Sequence, residues 1–277
     1  MSSATLLRLT AFAGLVAFAT ATSARADEAE TLGPAKGTLF IGGGQLSVDV
    51  LREFVQLAVD ATPGGNHSPI IVIPTAKEGD RFDDSWSGLE PLRAAGAKHL
   101  HVLHTRDRDV AGSEEFVAPL LKARAVWLGG GRQWRLVDAY AGTRTEAELH
   151  KLLERGGVIG GSSAGASIQA SFLVRGDPRG NSIVIARGYT KGFGFLRHSA
   201  IDQHWLKRMR EDDLARVIER HPKLTGIGID ENTAVIVHRN RLKVVGNSRV
   251  AIYRADAESG ERPYRLLSPG DVYDLGR

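Results

Sequence analysis

A serine held on a sharp glycine-flanked turn can act as a nucleophile, and residues 160–166 supply one: Gly160-Gly161-Ser162-Ser163-Ala164-Gly165-Ala166. Gly161-x-Ser163-x-Gly165 matches the elbow in which a strand turns abruptly into a helix. The turn strains its central residue, so the neighbours must lack bulk. It pushes the hydroxyl outward and aims the next backbone N–H, that of Ala164, where an oxyanion would form. The elbow register favours Ser163 over Ser162. The chemistry would be acyl transfer. The same small residues would also suit a turn that only packs a helix tightly against its strand, so the serine needs partners.

A nucleophilic serine requires a base, and the base an orienting acid. Nine histidines compete. His99, His101 and His104 lie on or after one apolar run. His99 and His101 share a face by strand alternation, and without further ligands at fixed spacing they read as surface or satisfied histidines rather than a metal site. His150 falls on a polar helix face, and His221 precedes Pro222. His198 and His204 remain, with His204 favoured because Ala200-Ile201-Asp202-Gln203-His204-Trp205 places it where an apolar stretch meets a helix. For the acid, Asp230 and Glu231 close the apolar run from Gly226. Adjacent strand residues face opposite ways, so one of the two can face a given site. Gly130-Gly131 suits close approach of a second oxyanion N–H to Ser163. Gly42-Gly43-Gly44 does not complete a dinucleotide fingerprint, because Ser47 occupies the last position, and no phosphate-binding GxxxxGK[ST] sequence occurs.

These residues need a scaffold, and the chain of 277 residues alternates strand-like and helix-like runs. Strands are expected at Thr38–Ile41, Ile70–Ile73, His99–Leu103, Ala125–Leu128 and from Val158. After the first, Ser47 caps a helix with an apolar stripe at Leu51, Phe54, Val55 and Ala58. A capping-box pair, Thr145 and Glu148, is expected to open a helix carrying Leu149, Leu152 and Leu153. The pattern predicts an α/β fold with a mainly parallel sheet and helices on both faces. The glycine clusters fall at the carboxyl ends of strands, where such sheets place their sites. Gly226–Val237, Leu242–Val245 and Val250–Tyr253 are expected as antiparallel strands extending the sheet edge.

Composition narrows the function. With no cysteine the chain has neither a thiol nucleophile nor a thiolate metal site, and its core must stand without disulfides. The formal charge of +4 includes Arg8 and Arg25, and the basic residues are scattered, which argues against a nucleic-acid partner. Arg8, the apolar run Leu9–Ala19 and Ala24-Arg25-Ala26 read as a signal peptide over residues 1–26, short for a bilayer span. A loose leader over 27–36 and a single catalytic domain over 37–277 would follow. The expected product is exported, periplasmic or secreted, with no membrane association after cleavage.

Taken in order, Gly161-Ser162-Ser163-Ala164-Gly165-Ala166, Asp202-Gln203-His204-Trp205 and Gly228-Ile229-Asp230-Glu231-Asn232-Thr233-Ala234 resemble the motifs of the cyanophycinase family of serine peptidases, which also contains aspartyl dipeptidase. Gly130-Gly131-Arg132-Gln133 and Ile73-Pro74-Thr75-Ala76 resemble two more, so the likeness spans residues 37 to 255. The resemblance implies a class I glutamine amidotransferase-like, flavodoxin-like fold. It implies Ser163 as nucleophile, His204 as general base and Glu231 as orienting acid, with oxyanion N–H groups from Gly131 and Ala164. Gln133, Asp202, Gln203, Arg208 and Arg210 would line the substrate cleft. The implied substrate is a peptide or polymer with β-linked aspartate, such as the β-aspartyl-arginine units cyanophycinases cut, and no metal or organic cofactor is required. An aspartyl or isoaspartyl dipeptidase with the same triad, and a binding protein without turnover, are the alternatives, and a homodimer is left open. One position departs from the family pattern: Asp213 stands where a third arginine usually follows Arg208-x-Arg210.

Overall fold

The computed structural model describes Met1 and residues 31–64, 68–256 and 263–277, with Thr31–Arg277 forming one compact unit. The expected signal peptide and the first part of the leader lie outside the described residues. In chain order the elements are β1 (Thr38–Gly42), α1 (Val48–Asp60), β2 (Ile70–Ile73), α2 (Glu90–Ala94), β3 (Leu100–Val102), α3 (Arg108–Gly112), α4 (Glu114–Lys122) and β4 (Ala125–Leu128). They continue with α5 (Gln133–Tyr140), α6 (Arg144–Glu154), β5 (Val158–Ser162), α7 (Ala164–Ser167), β6 (Ala170–Phe172), β7 (Leu196–Gln203) and α8 (Glu211–Arg220). The chain ends with β8 (Thr225–Ile229), β9 (Thr233–His238), β10 (Arg241–Gly246), β11 (Val250–Tyr253), β12 (Arg265–Leu267) and β13 (Val272–Asp274).

Two sheets result. An eight-stranded sheet has the order β13-β10-β9-β1-β5-β4-β2-β3, with a parallel half from β1 to β3 and an antiparallel half from β9 to β13. A five-stranded sheet, β12-β11-β8-β7-β6, is parallel across β6, β7 and β8. Strand alternation divides the core. Leu39 and Ile41 of β1 face a cluster shared with α3–α6 and with Ile201, Ile227 and Ile229 of the second sheet. Phe40 faces the opposite cluster with Leu51, Phe54, Val55 and Ala58 of α1. Trp205, Leu214, Val217 and Tyr253 pack α8 on the far face of the second sheet.

The mainly parallel α/β architecture and the stripe of α1 are as expected, and the Ser47 hydroxyl accepts the Val50 N–H at 3.4 Å. Two local expectations are corrected. The run Gly226–Val237 is two strands in different sheets, because Asp230-Glu231-Asn232 turns the chain, with Asn232 at φ 50°. Only β9, β10 and β13 therefore extend the first sheet, while β8 pairs in parallel with β7. The capping pair at α6 is also misplaced. Thr143 is the cap, Thr145 donates to Ala111 O at 2.7 Å, and the Glu146 carboxylate accepts the Gly142 N–H at 2.6 Å. The Thr143 hydroxyl donates to Tyr140 O at 2.8 Å and makes no bond to its own helix, so no reciprocal capping box forms there. The described end of the expected leader is tied to the domain: Gly33 N–H donates to Arg239 O and Arg239 N–H to Pro34 O.

Candidate active site

Three parallel strands, β1, β4 and β5, end together at Gly42, Leu128 and Ser162. The chain then turns through Ser163 into α7. Ser163 has φ 56° and ψ −112°, a conformation that costs a non-glycine residue about 1–3 kcal/mol and persists only where its surroundings over-determine it. Its N–H donates to Gly42 O at 3.0 Å, and its own carbonyl accepts from Ala166 and Ser167. The flanking glycines are required by space. A Cβ on Gly161 would lie 2.3 Å from Gly165 O, and one on Gly165 would lie 2.0 Å from Leu128 O.

His204 follows β7 and reaches the elbow from the second sheet. Its backbone is also left-handed, at φ 53°, and its N–H donates to Gly43 O at 2.6 Å. A Cβ on Gly44 would sit 2.4 Å from the imidazole, so the third glycine of Gly42-Gly43-Gly44 leaves room for the ring. His204 Nε2 is 2.9 Å from Ser163 Oγ, and Nδ1 is 2.7 Å from Glu231 Oε1. An ionised carboxylate only accepts, which assigns the proton to Nδ1 and leaves Nε2 to accept from the serine hydroxyl. Burial holds the imidazole below its ordinary value of 6.5, the Glu231 hydrogen bond opposes this, and the Arg208 and Arg210 charges push it further down. The lowering favours the neutral imidazole that a proton acceptor must be.

The turn separates its two acids. Glu231 faces His204, whereas Asp230 accepts from Lys207 N–H at 2.9 Å and Ser248 Oγ at 2.7 Å. Asn232 fixes the turn, accepting the Ser47 N–H on its side chain at 2.8 Å and donating its own N–H to Gln45 O. His198 lies on the exposed part of β7, earlier in the strand than the residue that meets Ser163. His104 accompanies Thr75, 2.8 Å from its hydroxyl, His101 pairs with Asp84 at 3.1 Å, and His150 reaches Phe193 O at 2.9 Å. Among the described residues no group of three or more His, Asp or Glu is placed to hold a metal ion.

The glycine turn after β4 runs past the elbow. Gly130 stands beside Ser163, where an added Cβ would be 3.4 Å from the serine Cβ, an ordinary contact. Gly131 has φ 145°, and a Cβ there would fall 2.1 Å from Ala76 O. Gln133 is buried and donates to Val174 O at 3.0 Å. Arg208 is exposed at the edge of the site. Asp202, Gln203 and Arg210 are buried together: Arg210 Nη1 reaches Gln203 O at 2.7 Å, Gln203 Oε1 at 3.1 Å and Asp202 Oδ1 at 3.3 Å. Burial lowers the Arg210 guanidinium to about 10, against the pull of Asp202.

Sequence reasoning missed Arg175, the strongest partner of Asp202. Its Nε lies 2.9 Å from Asp202 Oδ1 and its Nη2 lies 2.8 Å from Oδ2, a forked pair. Its φ of 56° carries no local signature in an arginine. The same Nη2 reaches Asp213 Oδ2 at 2.6 Å, so the aspartate that departs from the family pattern has a partner. Trp205 was also missed as a support. Its indole donates to Tyr253 Oη at 2.9 Å and lies where a Cβ on Gly228 would be, which explains a glycine inside β8.

A strand-to-helix serine elbow at the carboxyl edge of a parallel sheet, touched by a carboxylate-bound histidine, is the apparatus of a serine hydrolase. Residues 38–245 match the family described as Peptidase family S51, and the chain belongs to that family. It is a serine-type peptidase. A cyanophycinase of Geminocystis herdmanii is 31% identical over 232 residues, covering 80% of this chain and 81% of the relative. A cyanophycinase of Nostoc sp. is 30% identical over 229 residues, covering 77% and 72%. Among solved structures, a peptidase from an acI-B1 Actinobacterium superposes with a TM-score of 0.70 at 25% identity, covering 87% of this chain and 98% of that one.

Proposed function

We propose that the protein is an exported, cyanophycinase-like peptidase that hydrolyses β-aspartyl peptide bonds through Ser163, His204 and Glu231. The observation that carries this reading is the continuous hydrogen-bonded chain from Ser163 Oγ through the imidazole to Glu231, at 2.9 and 2.7 Å. His204 Nε2 takes the serine proton as Oγ attacks the amide carbonyl, and Glu231 holds the imidazole in the accepting tautomer and stabilises the imidazolium. The N–H groups of Ala164 and Gly131 stabilise the oxyanion. The imidazolium returns its proton to the leaving amine, and water then hydrolyses the acyl-enzyme by the same route. Every proton in the cycle is moved by protein side chains and water.

The β-aspartyl substrate class rests on kinship with proteins named cyanophycinase. Export rests on the charged, apolar and small-x-small order of residues 1–26. A second reading keeps the triad and moves it to another aspartyl or isoaspartyl peptide. It is favoured by Asp213, which engages Arg175 where the family pattern carries a cation.

The test uses residues 27–277 and the Ser163→Ala variant with cyanophycin, β-Asp-Arg, β-Asp-Lys and α-Asp peptides, products being followed by mass spectrometry. Cleavage confined to β-linked arginine substrates, and lost by about a thousandfold or more in the variant, is the expected result. Cleavage of only the other peptides moves the specificity to the second reading. A folded wild-type protein that takes up no fluorophosphonate at Ser163 overturns the mechanism.

A further inference from the structure

Beside the Ser163–His204–Glu231 chain lies a cluster of four charged side chains that the proton transfers do not use. Asp202 is completely buried and is held on two sides, by the Arg175 fork and by Arg210. Arg175 bridges onward to Asp213, its Nη2 lying 2.8 Å from one carboxylate and 2.6 Å from the other. Two guanidinium groups and two carboxylates give the cluster no net charge. Three of the four side chains are 0–7% exposed, and Asp213, at 24%, is the open member.

The cluster adjoins the catalytic histidine, on which the Arg210 charge acts. Asp202 and Gln203 directly precede His204, and Arg210 is bonded to both. Charges removed from water act strongly on their neighbours, so an imbalance of one unit here would be felt by a bound substrate. A helix-capping role does not account for Asp213. Glu211 and Asp212 already place negative charge in the first turn of α8, and the Asp213 carboxylate is turned onto Arg175.

We propose that Asp213 is a specificity-determining residue, which acts by keeping the Arg175–Asp202–Arg210 cluster neutral so that the cleft does not select for a carboxylate on the leaving amino acid. The inference rests on the peptidase reading of the Ser163 site. It assigns the protein to peptides whose leaving residue is read by its side chain rather than by a free C-terminal carboxylate, a class that includes internal units of a polymer.

The experiment compares kcat/KM for one aspartyl peptide that the wild-type protein hydrolyses, with its leaving residue as the free acid and as the C-terminal amide. The wild-type acid-to-amide ratio is expected within about threefold of one, and Asp213→Asn raises it about tenfold through KM. Asp213→Glu restores the wild-type ratio. The double variant Arg175→Gln/Asp213→Asn, which leaves a neutral Asp202–Arg210 pair, also returns toward it, whereas a structural role would make it worse. Asp212→Asn, the same charge change one residue away, leaves the ratio unmoved.

A wild-type ratio above tenfold in favour of the acid overturns the proposal without any variant. So does an Asp213→Asn protein in which both substrates slow equally. Fluorophosphonate labelling of Ser163 in each protein separates the failures. Labelled protein with an unmoved ratio sinks only this inference, and unlabelled wild-type protein sinks the serine mechanism and the inference with it.

Discussion

Ser163 and His204 both occupy left-handed backbone, at φ 56° and 53°, yet the molecule holds them there by different means. At the Ser163 elbow the support is absence of bulk. Gly161 and Gly165 let α7 descend onto the ends of β4 and β5, closer than any side chain allows. At His204 the support is a set of polar partners: the Gly43 carbonyl, the Glu231 carboxylate and, two residues earlier in the chain, the buried Asp202 cluster. The small residues that the first arrangement needs lie within seven positions. The second draws on partners 27 and 161 positions away along the chain, and it carries charge. The nucleophile's place is therefore a matter of sterics and the base's place a matter of electrostatics, and the two should fail differently.

The largest failure should come from the electrostatic side. Glu231→Gln keeps the shape but offers an amide that can donate to Nδ1, favouring the tautomer whose Nε2–H cannot accept the serine proton. A fall in kcat of roughly a thousandfold is expected, with the unfolding midpoint nearly unchanged. A loss under tenfold would mean that Glu231 is not the orienting acid. Asp230→Gln or another partner would then have to be tested in its place.

The steric side should fail in stability. Gly165→Ala adds one methyl group in a helix, where propensity alone favours alanine by about 1 kcal/mol. The added carbon would lie 2.0 Å from a backbone oxygen of β4, and neither element can retreat cheaply. A net destabilisation of about 3 kcal/mol is expected, read as a lower urea midpoint with unchanged m-value. A protein of wild-type stability would show that the elbow is looser than its contacts imply.

The same division explains what was legible in the sequence. The elbow could be read because its constraint is local: small residues at fixed offsets after an apolar strand. The parallel half of the main sheet followed from apolar runs such as Ile70–Ile73 and Ala125–Leu128, buried on both faces. The second sheet could not be read in the same way. Gly226–Val237 is a single β-rich run, and only the left-handed Asn232 reveals that it serves two sheets. The residues favour His204 over His198 only weakly and leave Glu231 against Asp230 open; resemblance decides both, since nothing nearby records which ring reaches Ser163. Arg175 gave no signal, because its meaning depends on Asp202 and Asp213, 27 and 38 residues away. Gly44 stood in plain view as part of a triglycine, but its reason, the imidazole lying against it, is also non-local.

The smallest expected effect tests the electrostatic half most directly. His204 must be neutral to accept the serine proton, so activity falls as pH drops through its pKa in the folded protein. Burial is the largest influence and lowers that pKa, Arg208 and Arg210 lower it too, and Glu231 raises it. The acid limb of kcat/KM, which reports the free enzyme, should therefore lie below the ordinary histidine value of 6.5. Arg208→Gln removes one of the lowering charges and should move the limb upward, toward 6.5. High salt should do the same to the wild-type protein and little to the variant, because Arg208 is exposed and its field is the screened part. A wild-type limb at or above 6.5 would mean that burial does not dominate at His204, and an Arg208→Gln limb that moves down would reverse the sign assigned to that charge.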